Sequence, residues 1–157
     1  RYASSSENLR QVLLRRVRKA ARAHDTDESA ARAWIDDLIT RFQSSGLLND
    51  GEYARMKVTS LHRRGNSGRM IRQKLAQKGI DKETLDGALA ELAGEFPQGD
   101  SDMAAALAYA RRRRIGPFRR PDKEGDRDRE LAALGRQGFS YEVARRVLDG
   151  DFDMEDS

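Results

Sequence analysis

Few residues of this chain have types and spacings suited to catalysis or metal binding. The chain has 157 residues, no cysteine and two histidines, His24 and His62, which lie far apart. Neither histidine has the neighbouring ligands that a zinc site requires. Asp36, Asp37 and the acids of 122–130 could bind a cation, but alternation with arginine in the second segment favours local ion pairs. We therefore expect no catalytic residue, no metal and no cofactor.

The glycine-containing segment 65–68 is the nearest approach to a phosphate-binding loop. It lacks the lysine of such a loop and follows a predicted helix. The chain also has no G-x-S-x-G sequence, which marks the nucleophile of many hydrolases. We therefore predict that the protein is not an enzyme and acts by binding.

Charge is arranged in blocks along the chain, although the net charge of +4 is modest. Residues 53–79 contain eight basic residues and no acid, and residues 103–120 contain six arginines and no acid. The tail 149–157 contains five acids and no base, and it is predicted either to be disordered or to fold back over nearby arginines. Uncompensated basic segments indicate a polyanion or an acidic protein as the partner. The candidate contact residues are Arg15, Arg18, Lys19, Arg22, Lys57, Arg63, Arg64, Arg69, Arg72, Lys74, Arg111, Arg112, Arg113, Arg114, Arg119 and Arg120.

The elements that must position these side chains are predicted to be α-helices throughout, with no sheet. Apolar residues recur at helical spacing, and charged residues make up 36% of the chain, which favours thin layers of amphipathic helices. Capping patterns begin helices at Ser4-Ser5-Ser6-Glu7, at Asn49, at Ser67 and at Asp81. Gly79 is the predicted C-cap between the last two. No segment reaches the roughly 20 consecutive apolar residues that span a bilayer.

The helical pattern is repeated along the chain. Residues 70–75 match 8–13 at a shift of 62, residues 75–89 match 134–148 at a shift of 59, and residues 54–65 match 105–116 at a shift of 51. Each unit is predicted to contain a lead helix, a second helix and a third helix, which stack on neighbouring units into an elongated, curved array. The predicted repeats are 1–48, whose lead helix would lie upstream, then 49–95 and 101–148, followed by the acidic tail 149–157. Their alignment predicts that Leu13, Leu75 and Leu134 are buried at equivalent places.

The aromatic residues are assigned mainly to the core. Trp34 and Phe42 have core spacing, and Tyr53, Phe139 and Tyr141 are also predicted to be structural. Phe118, which lies in a basic loop beside proline, is the one aromatic residue predicted to be exposed and functional. Aromatic residues make up 6% of the chain, which argues against a surface that stacks single-stranded bases.

Three segments resemble the RecX family of recombinase regulators. They are Ser-Gly-Leu-Leu-Asn-Asp-Gly-Glu-Tyr-Ala at 45–54, Ile-Arg-Gln-Lys-Leu-x-x-Lys-Gly-Ile at 71–80 and Leu-Gly-Arg-Gln-Gly-Phe-Ser at 134–140. They occur in order at corresponding places of the repeated units. The arginine-rich insertion between Val17 and Glu28 and the missing first lead helix depart from the family pattern.

The resemblance implies tandem three-helix repeats in a cytoplasmic bacterial protein of DNA repair, recombination and the SOS response. It implies a monomer that binds the RecA-DNA filament in its helical groove and inhibits strand exchange and the coupled ATPase, without contact with membranes. It also implies contact with single-stranded or duplex DNA, through RecA or directly.

Two other functions fit the residues. Arginine-rich helical triplets are also found in proteins that bind DNA directly, and the spread of bases over three units favours sequence-independent contact. The remaining alternative is a protein-interaction scaffold whose charge serves solubility.

Overall fold

The computed structural model describes residues 4–22, 27–97 and 100–152. Within these ranges the chain forms helices and no strand, which confirms the all-α prediction. His24 and residues 153–157 of the tail lie outside them. The helices are α1 (Ser6–Ala21), α2 (Glu28–Ser44), α3 (Asp50–Arg63), α4 (Gly68–Ala76), α5 (Lys82–Gly94), α6 (Ser101–Arg113), α7 (Arg127–Arg136) and α8 (Tyr141–Asp149), with a 3-10 helix (Gly116–Phe118) before α7.

The predicted N-caps are confirmed, with one shift of a residue, whereas the C-cap of α4 is Gln77, and the predicted Gly79 lies two residues later in the turn, with a φ of +76°. The side chains of Asn49, Ser67 and Asp81 each accept a hydrogen bond from a backbone N–H in the first turn of the following helix. α1 is capped by Ser5, one residue after the start of the predicted capping box. Glu7 consequently does not close the box and instead accepts hydrogen bonds from its neighbours on α1.

Each group of helices encloses its own apolar cluster. Ile35, Ile39 and Leu48 form the first with half-buried residues of α1, and a larger cluster lies between α3, α4 and α5. The third cluster lies between α6, α7 and α8. Leu75 and Leu134 are 2% and 0% exposed, as predicted, whereas Leu13 is only half-buried.

The lead helices α3 and α6 correspond at a shift of 52, one residue more than the sequence comparison predicts. At this shift Ala54 matches Ala106, and Val58 matches Ala110, and all four are at most 1% exposed. The sequence comparison aligned the glycines that follow the helices, but α6 ends earlier than α3, so the glycines are not equivalent.

Successive units meet through the same hydrogen bond. The Ser5 hydroxyl donates to the carbonyl oxygen of Lys78 at 2.8 Å, and the Ser67 hydroxyl donates to that of Gln137 at 2.8 Å. Both serines are 0% exposed. The second helix of each unit therefore begins against the end of the second helix of the next unit.

A second bond at each junction involves the next lead helix. The backbone N–H of Ser6 donates to the Asp50 carboxylate at 2.8 Å, and that of Gly68 donates to the Asp102 carboxylate at 2.8 Å. In the third unit Asp126 occupies the place of the junction serine. It is exposed and caps α7 by accepting from Arg129 N–H at 3.0 Å.

Two predictions about aromatic residues are wrong, and a third is wrong in part. Trp34 and Tyr141 are 75% and 70% exposed because the faces of α2 and α8 that carry them point away from their clusters. Phe118 is half-buried, because it stacks on Phe152 at 6.1 Å between ring centroids and lies beneath Arg111.

His62 is a structural residue. It is 6% exposed, and its Nε2 donates to the carbonyl oxygen of Ser101 at 2.6 Å, which joins the end of α3 to the start of α6. Its ring also lies 4.9 Å from that of Phe96. None of the described helices is both long enough and apolar enough to cross a membrane.

Candidate polyanion-binding surface

The turn after α3 lies directly against α6. Gly65 has a φ of +78°, and a Cβ atom there would lie 2.6 Å from the Cβ of Tyr109 and 2.8 Å from its backbone. Only glycine allows this approach. Because Arg63 and Arg64 immediately precede the turn, they are carried to the middle of α6.

Arginines of α6 gather around the same tyrosine. The guanidinium groups of Arg112 and Arg113 each lie 5.8 Å from the centre of the Tyr109 ring. Cations over an aromatic face are favoured by the quadrupole of the ring. Arg112 and Arg113 of the third unit therefore flank Tyr109, while Arg63 and Arg64 of the second unit adjoin the turn that packs on its backbone. We call Arg63, Arg64, Arg69 and Arg111 to Arg114 the arginine surface.

The C-terminal ends of α3 and α6 stabilise the positive charge of the arginine surface. Arg63 lies in the last turn of α3, and Arg111, Arg112 and Arg113 lie in the last turn of α6. Cations at a helix C-terminus interact favourably with the macrodipole. The arginines therefore repel one another less than their spacing alone would suggest.

Arg114 ends α6 in a left-handed conformation, with a φ of 56°. It is the one non-glycine residue with positive φ among the described residues. A side chain in this region costs roughly 1–2 kcal/mol, so glycine is the usual occupant. The left-handed cap lets the Arg114 N–H bond to the carbonyl oxygens of Ala110 and Arg111 and turns the chain away from the axis of α6.

Two of the predicted contact residues are engaged in ion pairs. Arg72 pairs with Asp86 at 2.7 Å, and Arg119 pairs with Glu130 at 2.6 Å. The Arg119 side chain is only 29% exposed and is enclosed by the loop that contains Gly125. Arg119 therefore stabilises the loop, whereas Arg72, whose side chain is 50% exposed, forms a surface pair that is weak in water.

The remaining candidates carry charges that no described carboxylate neutralises. All are exposed, and none forms an ion pair within the described ranges. They are Arg15, Arg18, Lys19, Arg22, Lys57, Arg63, Arg64, Arg69, Lys74, Arg111, Arg112, Arg113, Arg114 and Arg120.

The bases of the first unit do not join the arginine surface. α1 starts at the junction and extends away from it for 16 residues, or about 24 Å. Arg18, Lys19 and Arg22 lie at its far end. The structure therefore separates this group from the bases of the second and third units.

Lysines form a second group, beside the first junction. Lys57 and Lys74 line a groove between α1, α3 and α4, together with Lys78. Sequence reasoning did not select Lys78, although it belongs to the acid-free block 53–79. The sequence feature that could have identified Lys78 is the neighbouring Gly79, whose φ of +76° marks the turn that meets α1.

Comparison with known proteins places these features in a family. The model of the RecX second three-helix domain matches residues 49–89. A regulatory protein RecX from Myxococcus xanthus is 40% identical over 153 residues, which cover 96% of this chain and 80% of that protein. One from Agrobacterium fabrum is 32% identical over 92% of this chain and 73% of its own length. One from Shewanella oneidensis is 35% identical over 73% of this chain and 94% of its own length.

No solved structure matches the chain. The family match falls on the unit formed by α3, α4 and α5, and the matches to whole relatives extend across the helices of all three units. The family resemblance found in the three sequence segments is therefore confirmed. The chain belongs to the RecX family, whose members are named regulatory proteins.

Proposed function

We propose that this protein binds in the helical groove of the RecA-DNA filament and inhibits strand exchange and the coupled ATPase. The observation that carries the proposal is the arginine surface, whose exposed arginines form no ion pair with a described residue and lie on both sides of the contact between Gly65 and Tyr109 in the sequence of two units. Its support from the comparisons is the name of the relatives, regulatory protein RecX. The protein would act in the cytoplasm and as a monomer.

The chemistry of the surface suits phosphate oxygens. A guanidinium group donates paired hydrogen bonds to phosphate, and its charge persists at any physiological pH. Because the arginines come from helix ends in two units, and not from one recognition helix, the contact carries no preference for base sequence. The surface would bind along the nucleic-acid backbone exposed in the filament.

Inhibition would follow from occupancy alone. The junctions at Ser5 and Ser67 fix the three units in series, so one molecule presents several contact sites along its length. Such a molecule could contact neighbouring RecA protomers at once and block the entry of a second DNA. The mechanism requires no catalytic group.

The test is reversal of Arg63, Arg64 and Arg69 to glutamate. These three side chains are exposed and form no ion pair with a described residue, so the melting temperature should fall only slightly, by the lost interaction of Arg63 with the end of α3. Binding to RecA-coated single-stranded DNA should weaken by at least about tenfold, which is roughly 1.4 kcal/mol. Inhibition of strand exchange should be lost in parallel.

The matched control reverses Arg32, Lys82 and Lys123 to glutamate, which changes the net charge equally; these residues are exposed, form no ion pair with a described residue and are not among the candidate contact residues. This control should inhibit RecA nearly as well as the parent chain. If the folded Arg63, Arg64 and Arg69 variant also inhibits RecA like the parent, the assignment of the arginine surface is wrong.

The second candidate function is direct, sequence-independent binding to DNA, which the unpaired run of Arg111 to Arg114 favours. Binding to bare single-stranded DNA should be compared with binding to RecA-coated DNA at the same salt. Contact with phosphates alone predicts equal affinity and a steep fall with salt, with a slope of about −0.7 per phosphate for single strands. Preference for the coated strand supports regulation of RecA.

A further inference from the structure

The groove beside the first junction differs in its chemistry from the arginine surface. One wall is α1, and the other is formed by α3 and α4. The side chains that form the floor are apolar and belong to Tyr53, Leu61 and Leu75. The positive charge on its rim comes from Lys57, Lys74 and Lys78, and no arginine lines it.

None of the three lysines forms an ion pair with a described carboxylate. Lys57 Nζ lies 5.7 Å from the centre of the Tyr53 ring, and Lys74 Nζ donates to the amide oxygen of Asn66 at 2.5 Å. Lys78 is fixed at the junction by its carbonyl oxygen, which accepts from Ser5. An aromatic face and an amide oxygen position an ammonium group without neutralising it, so three positive charges converge on one groove.

The acid in the groove is already paired. Glu7 of α1 accepts hydrogen bonds from Gln11 and from Arg10, and these lower the pKa of its carboxyl group. Its carboxylate lies 2.8 Å from the Arg10 guanidinium. Glu7 therefore remains charged but is compensated on its own helix, and the balance of the groove is positive.

We propose that this groove binds an acidic segment of a protein partner, with an apolar side chain on the floor and carboxylates at the lysine rim. The apolar floor favours a peptide over a phosphodiester backbone, which has no apolar side chain to cover it. The lysine ammonium groups are point charges that attract carboxylates and phosphates alike, so the apolar floor carries the choice of a peptide. This proposal rests on the proposed function for the identity of the partner. It assigns the groove to contact with protein and the arginine surface to contact with nucleic acid.

The experiment uses the whole chain and two probes at low salt, each followed by fluorescence anisotropy. One probe is a short fluorescein-labelled peptide of glutamates around one leucine, and the other is labelled oligothymidine. The test variant carries Lys57→Gln, Lys74→Gln and Lys78→Gln. The matched control carries Arg32→Gln, Lys82→Gln and Lys123→Gln, which removes the same number of exposed charges without an ion-pair partner elsewhere. Because Lys74 contacts Asn66, a variant with only Lys57→Gln and Lys78→Gln is measured beside it.

The lysine variant should bind the peptide about tenfold more weakly than the parent, because it loses three exposed ion pairs with the peptide carboxylates. Its affinity for oligothymidine should change less than about twofold, and the control should bind both probes like the parent. Replacing the leucine of the peptide by serine should weaken binding to the parent chain. These results together would support the proposal.

Two results would overturn it. One is that the lysine variants lose oligothymidine binding and keep peptide binding, which would make the groove a nucleic-acid site. The other is that parent and lysine variants bind the peptide equally. Neither result bears on the inhibition of RecA through Arg63, Arg64 and Arg69. The peptide-binding proposal can therefore be wrong while the proposed function is right, and the proposed function can be wrong while the groove binds the peptide.

Discussion

α1 and α4 occupy equivalent places in successive units and make the same junction, yet they are buried to different depths. Ile71 and Leu75 of α4 are 0% and 2% exposed. Their counterparts on α1 at a shift of 62, Leu9 and Leu13, are half-buried. In the described part of the chain, α1 packs extensively on α2 alone, whereas α4 packs on both α3 and α5.

The difference separates two properties of a repeat. The serine cap and its bond to the next unit are local, so α1 and α4 share them. How deeply the second helix is buried depends on whether a lead helix packs against the second and third helices of the same unit, as α3 packs against α4 and α5. The same sequence pattern therefore fixes the place of a helix in the series without fixing its contribution to stability.

The largest expected effect is at the leucines that the two helices share. Leu75→Ala should lower the free energy of unfolding by about 2–5 kcal/mol, because it leaves a cavity in a closed cluster. Leu13→Ala should cost less than about half as much, since part of Leu13 is already in water. Chemical denaturation of both variants measures the difference, and equal losses would show that the two units are equally closed.

The next largest effect on stability is expected where the lead helices α3 and α6 meet. Among the described residues, only the second junction includes such a contact. Gly65→Ala should cost about 2–3 kcal/mol, because it combines a positive φ with a clash against the Tyr109 backbone. Gly87→Ala in α5 is the control, since nothing lies within 4 Å of a Cβ there. It should raise stability by about 0.5–1 kcal/mol. A neutral Gly65→Ala variant would mean that α3 and α6 separate easily.

The shared junction bond should give similar effects in both places. Ser5→Ala and Ser67→Ala each remove a helix cap and a buried bond to a carbonyl oxygen, at a cost of about 1–2 kcal/mol. Thermal unfolding of the two variants tests the equivalence. A loss confined to Ser67→Ala would show that the first junction is held by other contacts.

The smallest effect is specific to the first junction. Hydrogen bonds from Gln11 and Arg10 lower the pKa of Glu7, so its stabilising contribution is present above the ordinary pKa of glutamate and is lost as pH falls through the lowered value. Glu7→Gln should reduce stability by less than about 1 kcal/mol near neutral pH, because the pair is partly in solvent. The difference from the parent should disappear well below about pH 4.3.

Local signals explain what the sequence predicted correctly. Helix type and capping at Asn49, Ser67 and Asp81 depend on residues within one turn, and the structure confirms them. Repetition supplied the equivalence of Leu75 and Leu134. The family assignment came from three segments of the same kind, and the comparisons confirm it.

Contacts between distant residues explain what the sequence did not predict. Trp34 has core spacing, but burial requires a covering element that spacing cannot supply. Arg72 and Arg119 belong to acid-free segments, yet their partners Asp86 and Glu130 lie 14 and 11 residues away. The groove around Lys78 exists only because Ser5, 73 residues earlier, lies against that turn.

The replacement of the junction serine by Asp126 changes the chemistry of the third unit at this position. A serine hydroxyl can donate to the carbonyl oxygen of a following unit, whereas a carboxylate has no proton to donate and repels that oxygen. Asp126 accepts from its own helix and stays in water. A neighbour at this position would therefore have to be recognised through the backbone N–H groups of α7, as the Asp50 and Asp102 carboxylates recognise Ser6 and Gly68.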